Sequence, residues 1–243
     1  MLEMKHVSKV YRTEMVETHA LRNLDLEVNA GEFVAVTGPS GSGKTTFLNI
    51  AGMLEELTSG EYKLDGVDVK SLDDRARSRL RNEKIGFVFQ SFNLIPDLNL
   101  FDNVDVPLRY RKMGRADRRK RIESALERVG LASRMRHYPA ELSGGQQQRV
   151  AIARAIAGDP TLLLADEPTG NLDSAMAREV MQLLEELNEQ GTIVVIVTHD
   201  PEIAARAQRN VHIVDGVAAD LERAPSLVTS SPKREMDPAH TTA

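Results

Sequence analysis

The chain has 243 residues, of which 41% are hydrophobic and 28% are charged, and its formal net charge is -5. This composition is typical of a soluble globular protein with one large domain, with or without a sub-domain, and the negative charge does not suggest nucleic-acid binding by a basic surface. The lack of cysteine excludes a disulfide framework, a cysteine zinc site and a thiol nucleophile. No apolar run approaches the roughly 20 residues that span a bilayer, and the first residues lack the apolar core of a signal peptide. We therefore expect any membrane role to come through a partner.

The first part of the chain predicts an antiparallel sheet. Two strand candidates lie around residues 2–7 and 24–28. Residues 60–69 are typical of a strand, an Asp-Gly turn and a second strand. The charged segment 73–83 predicts a helix with a solvated face.

A glycine-rich loop lies between a predicted buried strand at residues 33–37 and the first turns of a predicted helix. Residues 38–45 have the form G-x-x-x-x-G-K-[ST], which in this context predicts a phosphate-binding loop. Glycines let the backbone curl around an anion, and the start of the helix directs N–H groups at it. Lys44 is the predicted partner of the β- and γ-phosphates, and the Thr45 hydroxyl is a predicted Mg²⁺ ligand. Upstream, Tyr11 is either an aromatic that stacks on adenine or an ordinary surface or core tyrosine.

Three further apolar runs predict buried strands that end in polar residues. Gln90 follows the first run, Asp166 and Glu167 follow the second, and His199 lies just beyond the third. Open α/β sheets bind ligands at the carboxyl ends of their strands. There, Asp166 is predicted to hold Mg²⁺ directly or through water, and Glu167 to orient or deprotonate the water that attacks the γ-phosphorus. We expect His199 to contact phosphate.

Between two of these strands, the pattern predicts a helical insertion over about residues 91–155. It contains an apolar stretch without clean periodicity at 92–108, a basic loop at 112–120 and an amphipathic helix at 117–129.

The end of the chain changes character. A helix at 174–190 and a fifth strand at 211–214 complete the predicted core. From residue 221 onward, Pro, Ser, Thr and charged residues predict a disordered tail.

One segment distinguishes among the families with a phosphate-binding loop. Residues 142–155, with the sequence LSGGQQQRVAIARA, resemble the signature motif of ATP-binding-cassette (ABC) ATPases. The loop at 38–45 then resembles Walker A, residues 162–166 the Walker B strand and residues 171–173 the D-loop. By the same resemblance, Glu167 corresponds to the catalytic glutamate and Gln90 to the Q-loop glutamine. His199 corresponds to the switch histidine, and Tyr11 to the aromatic residue that stacks on adenine. The resemblance covers nearly the whole chain up to about residue 220.

The resemblance implies an α/β fold: a RecA-like P-loop NTPase core with an antiparallel β sub-domain and an inserted helical sub-domain. Residues 1–220 would form the ATP-binding domain and residues 221–243 the tail. Two copies would form a head-to-tail homodimer that sandwiches ATP between the Walker A loop of one subunit and the signature of the other. Catalysis is assigned to Glu167, His199 and Gln90, and Mg²⁺ to Thr45, Gln90 and Asp166. The implied ATP-binding residues are Tyr11, Gly38, Pro39, Ser40, Gly41, Ser42, Gly43, Lys44, Thr45, Thr46, Ser143, Gly144, Gly145, Gln146 and Asp173.

A finer resemblance, carried by residues 87–96 and 165–174, is to the ATPases of lipoprotein-releasing and macrolide-export transporters. The Gly-Asn-Leu-Asp sequence at 170–173 departs from the Ser-Ala-Leu-Asp common elsewhere in the superfamily. This resemblance implies an integral membrane permease with a large extracytoplasmic domain, and a location on the cytoplasmic face of the inner (plasma) membrane. The stretch 92–108 would form the groove for the permease's cytoplasmic helix, although core packing explains about half of its apolar residues equally well.

Two other interpretations are open at this stage. One is a soluble ABC ATPase that acts on nucleic acid or ribosomes, which the negative charge and the single cassette disfavour. The other is an adaptor that controls cell-wall hydrolases through a membrane partner. The sequence of this subunit does not separate that role from transport.

Overall fold

The computed structural model describes residues 1–13 and 15–221, which form two sheets flanked by helices. The strands, β1 to β10, are Leu2–Arg12, Glu17–Val28, Phe33–Thr37, Ser59–Leu64, Val67–Asp68, Ile85–Phe89, Leu162–Asp166, Ile193–Val197, Arg209–Val214 and Val217–Leu221. The helices, α1 to α7, are Lys44–Ala51, Asp74–Lys84, Leu100–Arg109, Arg115–Arg128, Gly144–Ile156, Ser174–Glu189 and Pro201–Ala204. No helix within the described ranges is both long and apolar enough to cross a membrane.

The larger sheet has the strand order β10-β9-β3-β8-β7-β6. Strands β9, β3, β8, β7 and β6 pair in parallel, and β10 pairs with β9 in an antiparallel manner. Parallel strands covered on both faces are continuous apolar runs, which is why the sequence marks β3, β7 and β8 so clearly. Strand β10 was not predicted, because its five residues alternate weakly and follow the Asp-Gly turn at 215–216 directly.

Alternation along each central strand divides the core into two layers. In β3, Phe33 and Ala35 pack into the layer formed with α3 to α6, whereas Val34 and Val36 pack into the layer formed with α1 and the smaller sheet. The same alternation holds in β7 and β8. The smaller sheet, in the order β2-β1-β4-β5, is antiparallel, and its buried side chains share one core layer with α1 and with the face of the large sheet that α1 covers.

Strands β1 and β2 are longer than the sequence predicts. They pair from Leu2 opposite Val28 to Arg12 opposite Glu17, with register shifts on the way. His6 and Asn23 have positive φ angles of 50° near these shifts. Such bulges interrupt the alternation that marks a strand, and so the pattern fades before the strands end.

Helices α3, α4 and α5 lie between β6 and β7, where the sequence predicts a helical insertion. Helix α3 was missed because Pro107 lies inside it, while Asn99 caps its start by accepting from the Asp102 N–H at 2.8 Å. The predicted basic loop at 112–120 is wrong over its second half, because α4 begins at Arg115 after Gly114 at the N-cap position. Its first two turns contain Ala116 as their single apolar residue, so they show no apolar period. Beyond Leu221, the predicted tail lies outside the described residues.

Candidate nucleotide-binding site

The loop between β3 and α1 is shaped by glycines at positive φ. Gly38 has a φ of 145° and Gly43 a φ of 106°. A Cβ at Gly38 would lie 2.1 Å from the Ile213 carbonyl oxygen, and one at Gly43 would lie 2.4 Å from the Ala20 carbonyl oxygen. These positions therefore exclude any side chain, both by conformation and by space. The loop curls tightly ahead of the N-terminus of α1, where N–H groups are available to an anion.

Two polar groups of the loop indicate a phosphate ligand. The Lys44 ammonium donates to the carbonyl oxygens of Gly38 and Pro39, both at 2.8 Å, so it lies folded over the loop. The Ser42 hydroxyl is buried, and within residues 1–13 and 15–221 it has no hydrogen-bond partner. Buried polar groups are normally satisfied. An anion held by the loop would supply an acceptor for this hydroxyl and for the ammonium.

The strand register brings the predicted site residues to one edge of the large sheet. Phe89 of β6 lies opposite Asp166 of β7, and Asp166 lies opposite Val197 of β8. The Thr198 N–H, one residue further, donates to the Val36 carbonyl oxygen of β3 at 3.1 Å. Gln90 and Glu167 therefore directly follow this row, and His199 and the first residue of the glycine-rich loop come one residue later. This is the carboxyl edge at which such sheets bind ligands.

Glu167 is held firmly in this row. Its φ of 44° is left-handed, and its N–H donates to the Val197 carbonyl oxygen at 2.9 Å. Its carboxylate accepts from the His199 N–H at 3.1 Å and from the Thr198 hydroxyl at 3.2 Å, and it contacts His199 Nδ1 at 2.7 Å. The bond to Glu167, and then its charge, raise the pKa of His199 above its ordinary value. The positive φ of Glu167 is a strained conformation for a non-glycine residue, and backbone strain of this kind is often found at functional sites.

Asp166 is half-buried beside this group. Burial first, and then the charge of Glu167, raise the pKa of Asp166, while the charge of Lys44 lowers it. Two adjacent carboxylates are costly without a compensating cation. The predicted Mg²⁺ ligands Thr45, Gln90 and Asp166 each carry a side-chain oxygen, the donor type that Mg²⁺ prefers. The part of the chain that the structure describes contains no cluster of three or more His, Cys, Asp and Glu that could hold a metal ion.

Gln90 forms a reciprocal pair with Asn171. Gln90 Nε2 donates to Asn171 Oδ1 at 3.3 Å, and Asn171 Nδ2 donates to the Gln90 carbonyl oxygen at 3.0 Å. The next residues of the chain, Phe92 and Asn93, have positive φ angles of 60° and 50°. Arg154, in the last turn of α5, donates to their carbonyl oxygens at 2.9 and 2.5 Å. The segment after Gln90 is thus held by side chains from two other elements.

The signature residues form the start of α5, where Ser143 is exposed and Gly145 is buried. Ser143 is the N-cap: its hydroxyl accepts from the Gln146 N–H at 3.4 Å, and the Gln146 side chain accepts from the Ser143 N–H at 3.1 Å. Gly144 has room for a side chain, whereas a Cβ at Gly145 would lie 2.7 Å from the sulfur of Met176. A side chain at position 145 would therefore point into the same subunit.

Asp173 has a clear structural role. Its carboxylate caps α6 by accepting from the Ala175 and Met176 N–H groups at 3.0 and 2.9 Å. The contact of Asp173 with nucleotide, which the resemblance implies, remains a prediction.

Tyr11 lies near the end of β1 with 39% of its surface exposed. Its hydroxyl donates to Glu55 at 2.6 Å, and the Lys9 ammonium lies 5.0 Å from the ring centroid. Burial first, and then the bond to Glu55, raise the pKa of Tyr11, and a bond with Thr46 of α1 opposes the shift. The ring is therefore fixed beside the glycine-rich loop, and enough of it is exposed for stacking.

The sequence did not single out two side chains of this site, Thr198 and Asn171. Thr198 is an ordinary residue at a strand end, and its contact with Glu167 depends on the pairing of β7 with β8. Asn171 did carry a signal, since it stands where most of the superfamily has alanine. That difference indicated the subfamily, but the sequence did not predict the contact between Asn171 and Gln90.

Together, the parallel sheet, the glycine-rich loop and the row of polar strand ends define a P-loop nucleotide-binding protein. A family model described as "ABC transporter" matches residues 21–170. A second model, described as "AAA domain, putative AbiEii toxin, Type IV TA system", matches residues 136–205. The chain belongs to the ABC transporter family, and it is the ATP-hydrolysing component of an ATP-driven transporter. The prediction of an ABC ATPase is confirmed.

The relatives are transporter ATP-binding proteins. An uncharacterized ABC transporter ATP-binding protein of Bacillus subtilis, YknY, is 49% identical over 89% of this chain and 94% of its own length. The macrolide export ATP-binding/permease protein MacB of Syntrophobacter fumaroxidans is 50% identical over 89% of this chain, but the match covers only 31% of MacB. The chain thus corresponds to about a third of that fused protein.

A solved structure supports the fold directly. The ATP-binding cassette MJ0796, described as a dimer in a post-hydrolysis state bound to ADP and Pi, is 45% identical. It superposes with a TM-score of 0.82 over 91% of this chain and 99% of the cassette. The relative of the same name, the uncharacterized ABC transporter ATP-binding protein MJ0796, comes from Methanocaldococcus jannaschii. The predicted α/β P-loop fold class is confirmed by this likeness.

Proposed function

We propose that ATP binds with its phosphates in the loop at 38–45 and its adenine against Tyr11, and that Glu167 acts on the attacking water. The observation that carries this proposal is the single row of Gln90, Glu167 and His199 beside Lys44, at the carboxyl edge of one sheet. A carboxylate in this position accepts the water's proton or orients the water, and the ammonium offsets charge on the phosphates. His199 contacts Glu167 and is positioned to reach the γ-phosphate, to which its protonated form would donate.

Thr45, Gln90 and Asp166 are the residues that would hold Mg²⁺ with the nucleotide. When bound, Mg²⁺ offsets the negative charge of the phosphates and of the paired carboxylates. The chain's own contribution is a set of oxygen donors on three different elements. The raised pKa of Asp166 is consistent with a position that becomes favourable for a carboxylate once a cation is present.

We infer that two copies close head-to-tail on two ATP molecules. The Ser143 hydroxyl and the N–H groups of Gly144, Gly145 and Gln146 would then contact the phosphates bound by the other subunit. In support, these groups lie at the start of α5, and a helix N-terminus attracts anions. The similar cassette MJ0796 is described as dimeric. Hydrolysis then requires both copies, because each subunit alone supplies only half of the donors.

We further propose that a membrane permease subunit drives or receives this closure through a groove beside β6. The groove has a volume of about 1050 Å³ and lies between α2, the end of α3 and the end of α5. Apolar and aromatic residues line it, among them Phe87, Val106 and Tyr110, and Tyr110 is 82% exposed. Arg75 and Arg79 line its α2 side and have no ion-pair partner within the described part of the chain. A short amphipathic helix with acidic residues at its edge fits this lining.

Only part of the stretch predicted to form this groove contributes to it. Val106 and Pro107 line the groove, whereas Leu100, Val104 and Leu108 are fully buried in the helical layer. The division follows the 3.6-residue period of α3, which turns every third or fourth residue inward. The partner, its extracytoplasmic domain and the location on the cytoplasmic face of the inner membrane are parts of this proposal.

The experiment compares two exposed tyrosines. Tyr110 lines the groove, and Tyr138, which is 47% exposed, lies outside it. We expect Tyr110→Asp to lower the fraction of tagged protein that sediments with cell membranes, because a carboxylate in an apolar contact is costly. Tyr138→Asp should leave that fraction unchanged, and both variants should keep the ATPase activity of the isolated subunit. Equal membrane fractions for the wild type and both variants would contradict the groove as the docking site.

A further inference from the structure

The loop that contains Asn171 touches Gln90 at both its main chain and its side chain. Asn171 Nδ2 donates to the Gln90 carbonyl oxygen at 3.0 Å, and Asn171 Oδ1 accepts from Gln90 Nε2 at 3.3 Å. The Asn171 amide thus donates one hydrogen bond and accepts one, whereas the Gln90 side-chain amide only donates. The two residues are separated by 81 positions in the chain: Gln90 directly follows β6, and Asn171 lies in the connection between the neighbouring strand β7 and α6.

The residue before Asn171 is shaped to allow this contact. A Cβ at Gly170 would lie 2.8 Å from Gln90 Nε2 and 3.2 Å from its Cδ. No positive φ requires glycine here, so the requirement is one of space. The Gly170-Asn171 pair therefore leaves room for the Gln90 side chain and then binds it.

The backbone around Asn171 is well supported. The Gly170 N–H donates to the Glu167 carbonyl oxygen at 3.0 Å, and the Leu172 N–H donates to the Thr169 carbonyl oxygen at 3.0 Å. Asp173 then caps α6. Asn171 is therefore carried by a short, fixed connection between Glu167 and a 16-residue helix.

The pair distinguishes the two ends of the Gln90 amide. Asn171 Oδ1 can bind only an N–H donor, so it holds the NH₂ end and leaves Oε1 directed elsewhere. Within residues 1–13 and 15–221, no group donates to Gln90 Oε1. An amide oxygen is a suitable ligand for Mg²⁺, whereas an amide NH₂ is not.

We propose that Asn171 is a positioning residue that orients the Gln90 amide so that its oxygen faces the cation bound with the nucleotide. This inference rests on the proposed function of the site. Side chains that hold a metal ligand in place affect metal affinity by about 10- to 100-fold when removed. Asn171 acts on Gln90 and does not itself contact the nucleotide or the cation.

The test measures how much Mn²⁺, as a probe for Mg²⁺, improves the affinity of the isolated subunit for the non-hydrolysable analogue AMP-PNP. Calorimetric titrations in EDTA and in MnCl₂ give this gain for each variant. We expect Gln90→Ala and Asn171→Ala each to reduce the gain by about 10-fold, the lower end for such residues, with the affinity in EDTA unchanged. The double variant should lose no more than either single one, because both changes remove the same interaction.

Two further variants separate orientation from general damage. Asn171→Asp keeps an acceptor for Gln90 Nε2 and should retain most of the gain. Gly170→Ala keeps Asn171 but places a methyl group against the Gln90 amide, so it should reproduce the loss. Melting temperatures of all variants, compared with the wild type, show that the proteins are folded.

The outcomes distinguish the inference from the function on which it rests. If Asn171→Ala and Gly170→Ala keep the full Mn²⁺ gain while Gln90→Ala loses it, Asn171 does not position Gln90. If Gln90→Ala also keeps the gain, Gln90 is not a cation ligand, and the inference is again wrong while nucleotide binding stands. If the wild type binds no AMP-PNP in either condition, the proposed function itself fails.

Discussion

Glu167 and His199 form a close pair across neighbouring strand ends, with the Glu167 carboxylate 2.7 Å from His199 Nδ1. Glu167 is mostly buried, with 17% of its side chain exposed, whereas His199 is 75% exposed. The carboxylate is thus fixed by the fold, and the imidazole can turn away towards a ligand. Exchange of His199 between Glu167 and the γ-phosphate would free the carboxylate to act on water when ATP is present.

Titration of His199 tests this pairing. Since Glu167 raises the pKa of His199, the imidazole should stay protonated to a higher pH than an ordinary histidine, whose pKa is about 6.5. The pair therefore contributes stability that is complete below the ordinary histidine pKa and is lost as the pH rises through the raised pKa. We expect NMR titration of ¹³C-labelled histidine, assigned with His199→Gln, to give a raised value that returns towards the ordinary one in Glu167→Gln. An unchanged pKa in Glu167→Gln would contradict the contact.

Glu167→Gln should reduce ATP hydrolysis by about 10²- to 10⁴-fold, because the water loses its base or orienting group. ATP and Mg²⁺ should still bind, so the variant should accumulate as a dimer stabilised by the retained ligand. Size-exclusion chromatography with light scattering, with and without Mg-ATP, measures the dimer. Glu202→Gln, on the exposed first turn of α7, is the matched control and should behave as wild type. Normal hydrolysis by Glu167→Gln would move the catalytic role to another residue, with His199 as the next candidate.

Lys44→Ala should abolish tight nucleotide binding, because the phosphates lose their point charge in the loop. The two carbonyl oxygens that Lys44 contacts at 2.8 Å would still be satisfied by water, so we expect the fold to persist. Calorimetry with AMP-PNP gives the affinity, and circular dichroism gives the melting temperature. Lys70→Ala, an exposed lysine far along the chain, serves as the control. Near-normal affinity in Lys44→Ala would contradict the proposed phosphate site.

The two signature glycines should differ in stability. In the middle of a helix alanine is favoured over glycine by about 0.5–1 kcal/mol, and at Gly144, in the first turn of α5, a Cβ meets no atom closer than 3.6 Å. At Gly145 the Cβ would lie 2.7 Å from the Met176 sulfur. We therefore expect Gly145→Ala to lower the free energy of unfolding by about 1–3 kcal/mol, as overpacking does, and Gly144→Ala to leave it unchanged or raise it slightly.

Urea titrations of both variants measure this difference. Met176→Ala should restore room for the methyl group, so the loss in Gly145→Ala should shrink in the Gly145→Ala/Met176→Ala background relative to Met176→Ala alone. Equal stability of the two glycine variants would show that α5 and α6 are not packed as closely as the Gly145 contact requires.

The sequence predicted the polar residues at the strand ends because each of these features is local. A buried strand is visible as an apolar run, and the polar residue at its end, such as Asp166 or Gln90, directly follows that run in the sequence. The shape of the glycine-rich loop follows from its own glycines and from the flanking strand and helix. The ABC signature then gave the family from one short segment, and the relatives confirmed it.

Contacts between distant segments could not be predicted in this way. The Gln90–Asn171 pair and the bond from Thr198 to Glu167 exist only because β6, β7 and β8 pair in a particular register. Helix α3 was hidden by Pro107, and its polar Asn103 is fully buried because it binds the backbone of residues 95–99. Hydrophobic periodicity does not predict the burial of such an asparagine, because its side chain is polar and is buried through hydrogen bonds with a loop.

Helix α5 connects two regions that lie far apart on the surface. Ser143 caps its first turn, and Arg154 in its last turn binds the carbonyl oxygens of Phe92 and Asn93 beside the groove. At 1.5 Å per residue, its 13 residues form a stiff rod about 20 Å long. If the permease occupies the groove as proposed, a displacement of the segment at Phe92 and Asn93 would reach α5 through the two Arg154 hydrogen bonds, and the stiff helix would carry it to the signature residues.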